Sequence, residues 1–550
     1  MNDVIRNWSG FQLEPATSDS SSVFGLAQFL STLALLVVVF NVSDFRYRYR
    51  LYVTRFDIQK VAIRIVVAIA IVLMITELWF QNSFPIPRFL NHYSNIKLML
   101  AAVFLALIIY IVSVCFLRRV QLRRANAEQF FRATTRLIHQ GNKDRLQAIA
   151  EELGPAMEDI FRLASQINYH NDASKPTVEQ ACAHDLLLAL ADRRFCNLIV
   201  DRDPAFAIRC FALAAKHPEA PFAQFSRNVG EEFIVNTDSA FYQEDSGYDS
   251  GYFGYTKPIT SAVFGSYELV ERCATNSASP LELHYSIIGT LDAIQMEGFK
   301  RAGLVFFSAY LEKYHHQMHS CAFARLLGTM ESCASGIYKV NNLADDGWKS
   351  AEYARFQAVA DFLKEAIILL DKSGIKARCL RLRKETYHDI YDAMAHAILK
   401  LIFEAATVDV ASFICWNVQH NIAWDILVSF RGGSYTYSVL RFKVRRLIYS
   451  EIMQNYGNFV GARYLGFCLH VLGLTPGDRR ETLNREDYAL RVCVINWTKK
   501  NYKTLLADHP NVAQACLQGS VTYDPEKHQL VKTFSDRTRK EVPRVVLALD

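Results

Sequence analysis

The 550 residues are 51% hydrophobic and 21% charged, so once three apolar stretches near the N-terminus are set aside the remainder reads as an ordinary globular protein able to bury a large core. A net charge of +6 is modest for this length, and much of the excess lies beside the apolar stretches, which removes composition as an argument for nucleic acid as a partner. Twelve cysteines occur singly from Cys115 to Cys516 without any C-x-x-C pair, and on the reducing cytosolic side expected below they read as small buried hydrophobes rather than disulfides or a zinc cage.

The first 22 residues form an acidic tail, with Arg6 against Asp3, Glu14 and Asp19, and no small-x-small site that would close a cleaved leader. Val23–Phe40 and Leu98–Leu117 carry no charge, and each approaches the roughly 20 residues needed to cross a hydrocarbon core. Val61–Phe80 carries Arg64 near one end and Glu77 near the other, positions from which long side chains reach the interface, with Trp79 at headgroup depth. The expectation is a three-helix anchor over 23–117.

Orientation follows from the cations. Arg46, Arg48, Arg50, Arg55 and Lys60 lie between the first and second stretches, and Arg118, Arg119, Arg123 and Arg124 follow the third. The positive-inside bias then puts the N-terminus outside and everything after 117 in the cytosol, in a plasma or bacterial inner membrane. Arginines alternate with aromatics over Phe45–Arg50, a pattern that predicts a loop lying on the inner leaflet with anionic lipids as partners.

Between Ile96 and Gly141 there is no Gly or Pro, so the third span is expected to continue as a helical stalk over 118–140, on the order of 35 Å long. Beyond Gly141 the periodicity is helical almost throughout. Asp144–Ser165 should divide at Pro155, and Asp203-Pro204 signals the start of a helix running to Lys216. Further helices are expected over Val178–Ala191, Val263–Cys273, Leu281–Met296, Gly298–Tyr314, His319–Ser335, Ser350–Lys372, Leu382–Ala405, Val408–Phe430, Tyr437–Gly457 and Val460–Leu472. Tyr387, Ile390, Tyr391, Met394, Ile398 and Leu401 recur at three- and four-residue steps, the stripe of a packed helix. The last 31 residues hold two short β-type runs, Val521–Tyr523 and Val545–Leu547. The fold class is mainly α, a membrane anchor followed by a cytosolic helical bundle or array over 141–550, with a subdivision near 240–260.

That subdivision is marked by a tandem D-S-G-Y, in which Asp245, Tyr248, Asp249, Tyr252 and nearby Tyr255 offer aromatic and hydrogen-bonding groups to a ligand or partner from a turn-rich segment. Two histidine groups, His315 with His319 and His388 with Asp392 and His396, have helical spacing that a metal could use. Neither is accompanied by H-E-x-x-H or a second E-x-x-H. No phosphate-binding glycine motif and no G-x-S-x-G elbow occurs, so no cofactor and no catalytic signature is read. Arg441, Lys443, Arg445 and Arg446 form a basic run expected on a solvated or membrane-facing surface. These features predict a membrane-tethered interaction or sensor protein that binds a protein or small ligand, or a second copy of itself. The alternatives are an oligomeric membrane-permeabilising effector using Arg64 and Glu77, and a membrane-bound metal-dependent enzyme.

Overall fold

The computed structural model describes residues 6–8, 11–15, 28–34, 37, 44–54, 58–82, 85–87, 93–117, 119–167, 175–244, 257–314, 319–343, 346–380, 389–428, 434–455, 457–474, 485–533 and 544–550. The protein is mainly helical and divides into two compact units, Met1–Phe225 and Ser226–Asp550.

In the first unit, α1 (Phe45–Tyr52) precedes two long apolar helices, α2 (Ile58–Gln81) and α3 (Tyr93–Val112), which pack on each other. Phe29, Val66, Ile69, Leu73, Leu100 and Phe104 fill their common seam, with the Phe29 and Phe104 rings 5.1 Å apart. The outer faces stay apolar and exposed: Ile63, Val67, Ile71 and Ile75 on α2, Leu98, Leu105 and Ile109 on α3. An exposed apolar surface of this extent marks an interaction or membrane-facing region. Among the described residues, one helix is both long and apolar enough to cross a membrane, Lys60–Trp79, with a mean hydropathy of 2.5. The apolar run of α3 spans only Ile96–Val112, which is shorter than the expected Leu98–Leu117, because a π-turn over Ser113–Leu117 ends the α-helix. Among the described residues one helix of full spanning length thus stands where three spans were expected; of the first stretch, Val23–Phe40, only residues 28–34 and 37 are described. Arg64 is exposed on α2, and Glu77 lies 3.8 Å from Lys97 of α3.

A small antiparallel sheet joins β1 (Arg6–Trp8), β2 (Phe11–Pro15) and β3 (Pro85–Pro87), with Arg6 opposite Leu13 and Leu13 opposite Pro87. The helix expected over 118–140 occupies α4 (Ala127–Gln140) alone, since residues 119–126 are not helical. Asn126 fixes that break by giving its Nδ2 to the Gln121 carbonyl at 3.0 Å and accepting from the Arg123 N–H at 2.8 Å. Helix α4 ends at Gly141, whose φ of +64° suits glycine. Pro155 divides the next segment into α5 (Lys143–Leu153) and α6 (Met157–Ala164) through one 3₁₀ turn. Helices α7 (Val178–Leu190), α8 (Arg193–Arg202) and α9 (Pro204–Lys216) complete the bundle, with Asp203 capping α9 through the Phe206 N–H.

In the second unit, α10 (Pro258–Phe264) and α11 (Tyr267–Thr275) break at Gly265, where one helix was expected over Val263–Cys273. The expected Leu281–Met296 helix is mostly turns, because Asp292 and Gln295 form a reciprocal cap that starts α12 (Ala293–Glu312). Next come α13 (Cys321–Ala334), α14 (Ala351–Lys372) and α15 (Ile390–Ala405). Ile390, Tyr391, Met394, Ile398 and Leu401 are all buried on α15, as their spacing requires. The Val408–Phe430 segment winds as a π-helix over Asn417–Trp424, and α16 (Tyr435–Gln454), α17 (Phe459–Leu472), α18 (Arg485–Asp508) and α19 (Pro510–Ala515) follow.

The C-terminal part is not all-helical. Strands β4 (Val521–Asp524), β5 (Gln529–Thr533) and β6 (Arg544–Ala548) form an antiparallel sheet with Val521 opposite Lys532 and Leu530 opposite Leu547. A buried polar knot clips it to the helices. Lys532 donates to the His470 carbonyl, and Gln419 of the π-helix bonds His470 Nδ1 at 2.8 Å and Gln518 Oε1 at 3.0 Å.

Candidate functional site: a coupling helix and an acidic cleft

Helix α1 is eight residues long and would not persist alone; tertiary contacts hold it. Its N-cap is Asp44, which accepts from the Arg46 N–H at 3.1 Å. Arg46 and Arg50, four residues apart, project from one side. Arg50 makes a two-pronged contact with the buried Glu152 of α5, Nε to Oε2 at 2.7 Å and Nη2 to Oε1 at 2.8 Å, while Arg46 reaches Glu151 at 2.9 Å. The Glu152 carboxylate raises the Arg50 guanidinium pKa above its usual value.

Tyr49 is fully buried. The Thr134 hydroxyl already donates to the Phe130 carbonyl at 2.8 Å, so Tyr49 donates to Thr134 Oγ1 at 2.8 Å, and burial pushes its phenol pKa up. The C-terminal carbonyls of α1 are also taken: Asn126 donates to Val53 O at 2.9 Å and Gln129 to Tyr52 O at 3.3 Å. The other side of α1 meets the end of the third apolar stretch. Leu51 packs on Val114, the rings of Tyr47 and Phe116 lie 4.4 Å apart, and Arg50 Nη1 donates to Phe116 O at 3.4 Å. One short helix therefore touches both the π-turn that ends the apolar pair and the bundle helices α4 and α5.

Of the arginines expected at the inner leaflet, Arg46 and Arg50 thus face protein carboxylates, Arg48 is half-buried, Arg119 is exposed, and Arg118 lies outside the described residues. The spacing of the partners was available in the sequence as adjacent Glu151 and Glu152, but nothing local says that a distant acidic pair will meet these cations.

The second unit holds a cleft of about 220 Å³ between α13, α14 and α15. Leu327, Met330, Val359, Leu363 and Leu401 form its apolar wall, and Glu331, Ser332, Ser335, Lys400 and Glu404 supply its polar groups. Burial raises the pKa of both carboxyls, Lys400 opposes the rise in each, and Glu331 adds to it at Glu404. No family model, curated protein or solved structure matches this chain. The cleft therefore has to be read from its own chemistry.

Glu331, Lys400 and Glu404 were not singled out in the sequence, although both glutamates stand in the last turns of helices, against the dipole. The Asp245–Tyr255 loop lies outside the described residues; its flanks are joined by Glu244, which accepts from the Ile259 and Thr260 N–H groups at 2.6 and 3.1 Å. His315 and His388 also lie outside them. His319 precedes α13, His396 is half-buried on α15, and Asp392 is buried against Lys443 at 2.5 Å. Among the described residues no three His, Cys, Asp or Glu side chains gather at metal-ligating distance.

The basic run expected on a surface is partly internal. Lys443 and Arg445 are buried on Asp392 and Asp487, and Arg441 donates to Leu427 O, because α16 turns that face toward its neighbours. Burial pushes the thiols of Cys333, Cys415, Cys468 and Cys516 up to about 12, which keeps them protonated and unreactive.

Proposed function

We propose that this chain is a membrane-tethered interaction or sensor protein, crossing the bilayer three times, whose helical part binds a ligand or partner and is coupled to the anchor through α1. One observation carries the reading. In a three-span arrangement the N-terminal tail and the turn between the second and third spans share one side, and the loop after the first span shares the other with the chain beyond residue 117. The contacts respect that division: β2 pairs with β3 at one end, and α1 docks on α4 and α5 at the other. A single crossing by α2 would place the partners of both pairings on opposite sides of the bilayer.

The positive-inside bias supports a cytosolic position for α1 and the bundle. The grip of Arg50 on Glu152 and Phe116 O gives a physical route by which a change in the bundle displaces the helix ends, or the reverse. The experiment is charge exchange at this contact in the full-length protein. Arg50→Glu should loosen α1, read as faster hydrogen exchange over 45–54, and Arg50→Glu with Glu152→Arg should restore protection. Unchanged exchange in the single variant contradicts the coupling role.

A further inference from the structure

Two helices of the second unit, α13 and α15, end at Ala334 and Ala405, so the negative ends of both dipoles converge on the cleft that holds Glu331 and Glu404. Anionic side chains there act against the dipoles, and burial makes their ionisation harder still. Among the described residues neither carboxylate makes a hydrogen bond or lies within 4 Å of a cation. A fold that keeps two such groups in one cavity, offset only by the charge of Lys400, departs from the local rule for helix ends.

The two serines of the cleft have their hydroxyl protons engaged. Ser332 gives its hydroxyl proton to Gly328 O at 2.9 Å and Ser335 gives its own to Ser332 O at 2.7 Å, so toward a ligand both oxygens can only accept. Lys400, exposed at the rim, is the lone cation of the lining. With both glutamates ionised the balance is one negative charge, which a single positive charge completes. A divalent cation would find two carboxylates and a repelling lysine where calcium requires about six to eight oxygens. The wall of Leu327, Met330, Val359, Leu363 and Leu401 has no use for a bare ion but would cover a hydrocarbon tail.

We infer that this cleft binds a monocationic primary amine with a short apolar tail, its ammonium held by Glu331, Glu404 and the serine oxygens and its tail on the leucine and valine wall. The inference rests on the reading that the helical part binds a small ligand, and it is independent of how many times the chain crosses a membrane.

The test uses the full-length protein in detergent and three probes that share a five-carbon chain: n-pentylamine, pentanol and 1,5-diaminopentane. Pentylamine should bind in calorimetric titration and raise the unfolding temperature, and pentanol should bind at least about tenfold more weakly, as loss of charge-assisted hydrogen bonds requires. Glu331→Gln and Glu404→Gln should each weaken pentylamine about tenfold while leaving the protein folded. Lys400→Met should shift preference toward the diamine, because the site then carries two uncompensated negative charges. In the wild type, affinity should fall as acid protonates the carboxyls, a readout that needs no variant. Pentanol binding as tightly as pentylamine, or wild-type affinity in both glutamine variants, would overturn the inference. If pentylamine fails to bind while the exchange at Arg50 and Glu152 behaves as stated above, the ligand class is wrong and the coupling reading stands.

Discussion

Arg50 makes its bonds in directions that a lysine cannot copy. Its planar fork meets both Glu152 oxygens and still reaches Phe116 O, so Arg50→Lys should behave closer to Arg50→Ala than to wild type. Removing either partner leaves a charge in a partly closed site; the expected cost is about 2 kcal/mol, below the fully buried range because Arg50 keeps some exposure. Tyr49→Phe deletes one bond in a dry site and should cost about 1 kcal/mol. Both are measurable by chemical unfolding of the detergent-solubilised protein. Glu331 and Glu404 should respond in the opposite sense. A carboxyl whose folded pKa is raised favours the folded state below its unfolded pKa and loses that contribution as pH rises through the folded one, so at neutral pH each ionised glutamate weakens the fold. Glu331→Gln or Glu404→Gln should raise the unfolding temperature at pH 7 and leave it unchanged near pH 4, and a decrease at pH 7 would refute that account.

Where a packing cue is local, the helices follow the sequence closely. Pro155 splits α5 from α6, Asp203-Pro204 starts α9, and the stripe from Ile390 to Leu401 faces inward on α15. The failures have physical causes. The unbroken run from Ile96 to Gly141 contains no breaker, yet Asn126 captures backbone groups around 121–126 and ends the continuity, a side-chain competition that periodicity does not register. Helix α8 has as its local cue only the Asp192 cap in front of two arginines, too little for periodicity to mark it.

The C-terminal sheet was visible only as two β-type runs; what seats it is the knot around His470. Burial, Lys532 and His420 push that imidazole down to about 3, so it stays neutral in the fold. A base with a depressed folded pKa contributes its full stability above the unfolded value of roughly 6.5 and loses it as pH falls toward the folded value. Thermal melts should therefore weaken across that window, and His470→Gln should flatten the dependence. Gly519 sits beside it at a φ of +57°, and a Cβ there would stand 2.5 Å from His470 Nε2. Gly519→Ala should cost at least about 1 kcal/mol and loosen β4–β6 before the helices, read by hydrogen exchange over 521–533.

Across the whole chain, a mainly helical class was readable from periodicity, whereas the two compact units meet at Phe225 and Ser226, a boundary that no change in composition marks. The acidic cleft was not readable either, because Glu331 and Glu404 lie 73 residues apart in the chain and only packing brings them together. The same holds for α1, whose alternating arginines and aromatics look like a lipid-facing loop until Glu151 and Glu152 are placed beside them. The central proposal is that the two ends of the apolar helices are separated by a bilayer crossed three times. Protease protection in sealed vesicles tests it, with epitope tags at the N-terminus, after Asn82 and at the C-terminus of otherwise intact protein. The account predicts that the N-terminal tag and the tag after Asn82 share one side and the C-terminal tag lies on the other. A tag after Asn82 that shares its side with the C-terminus would contradict it.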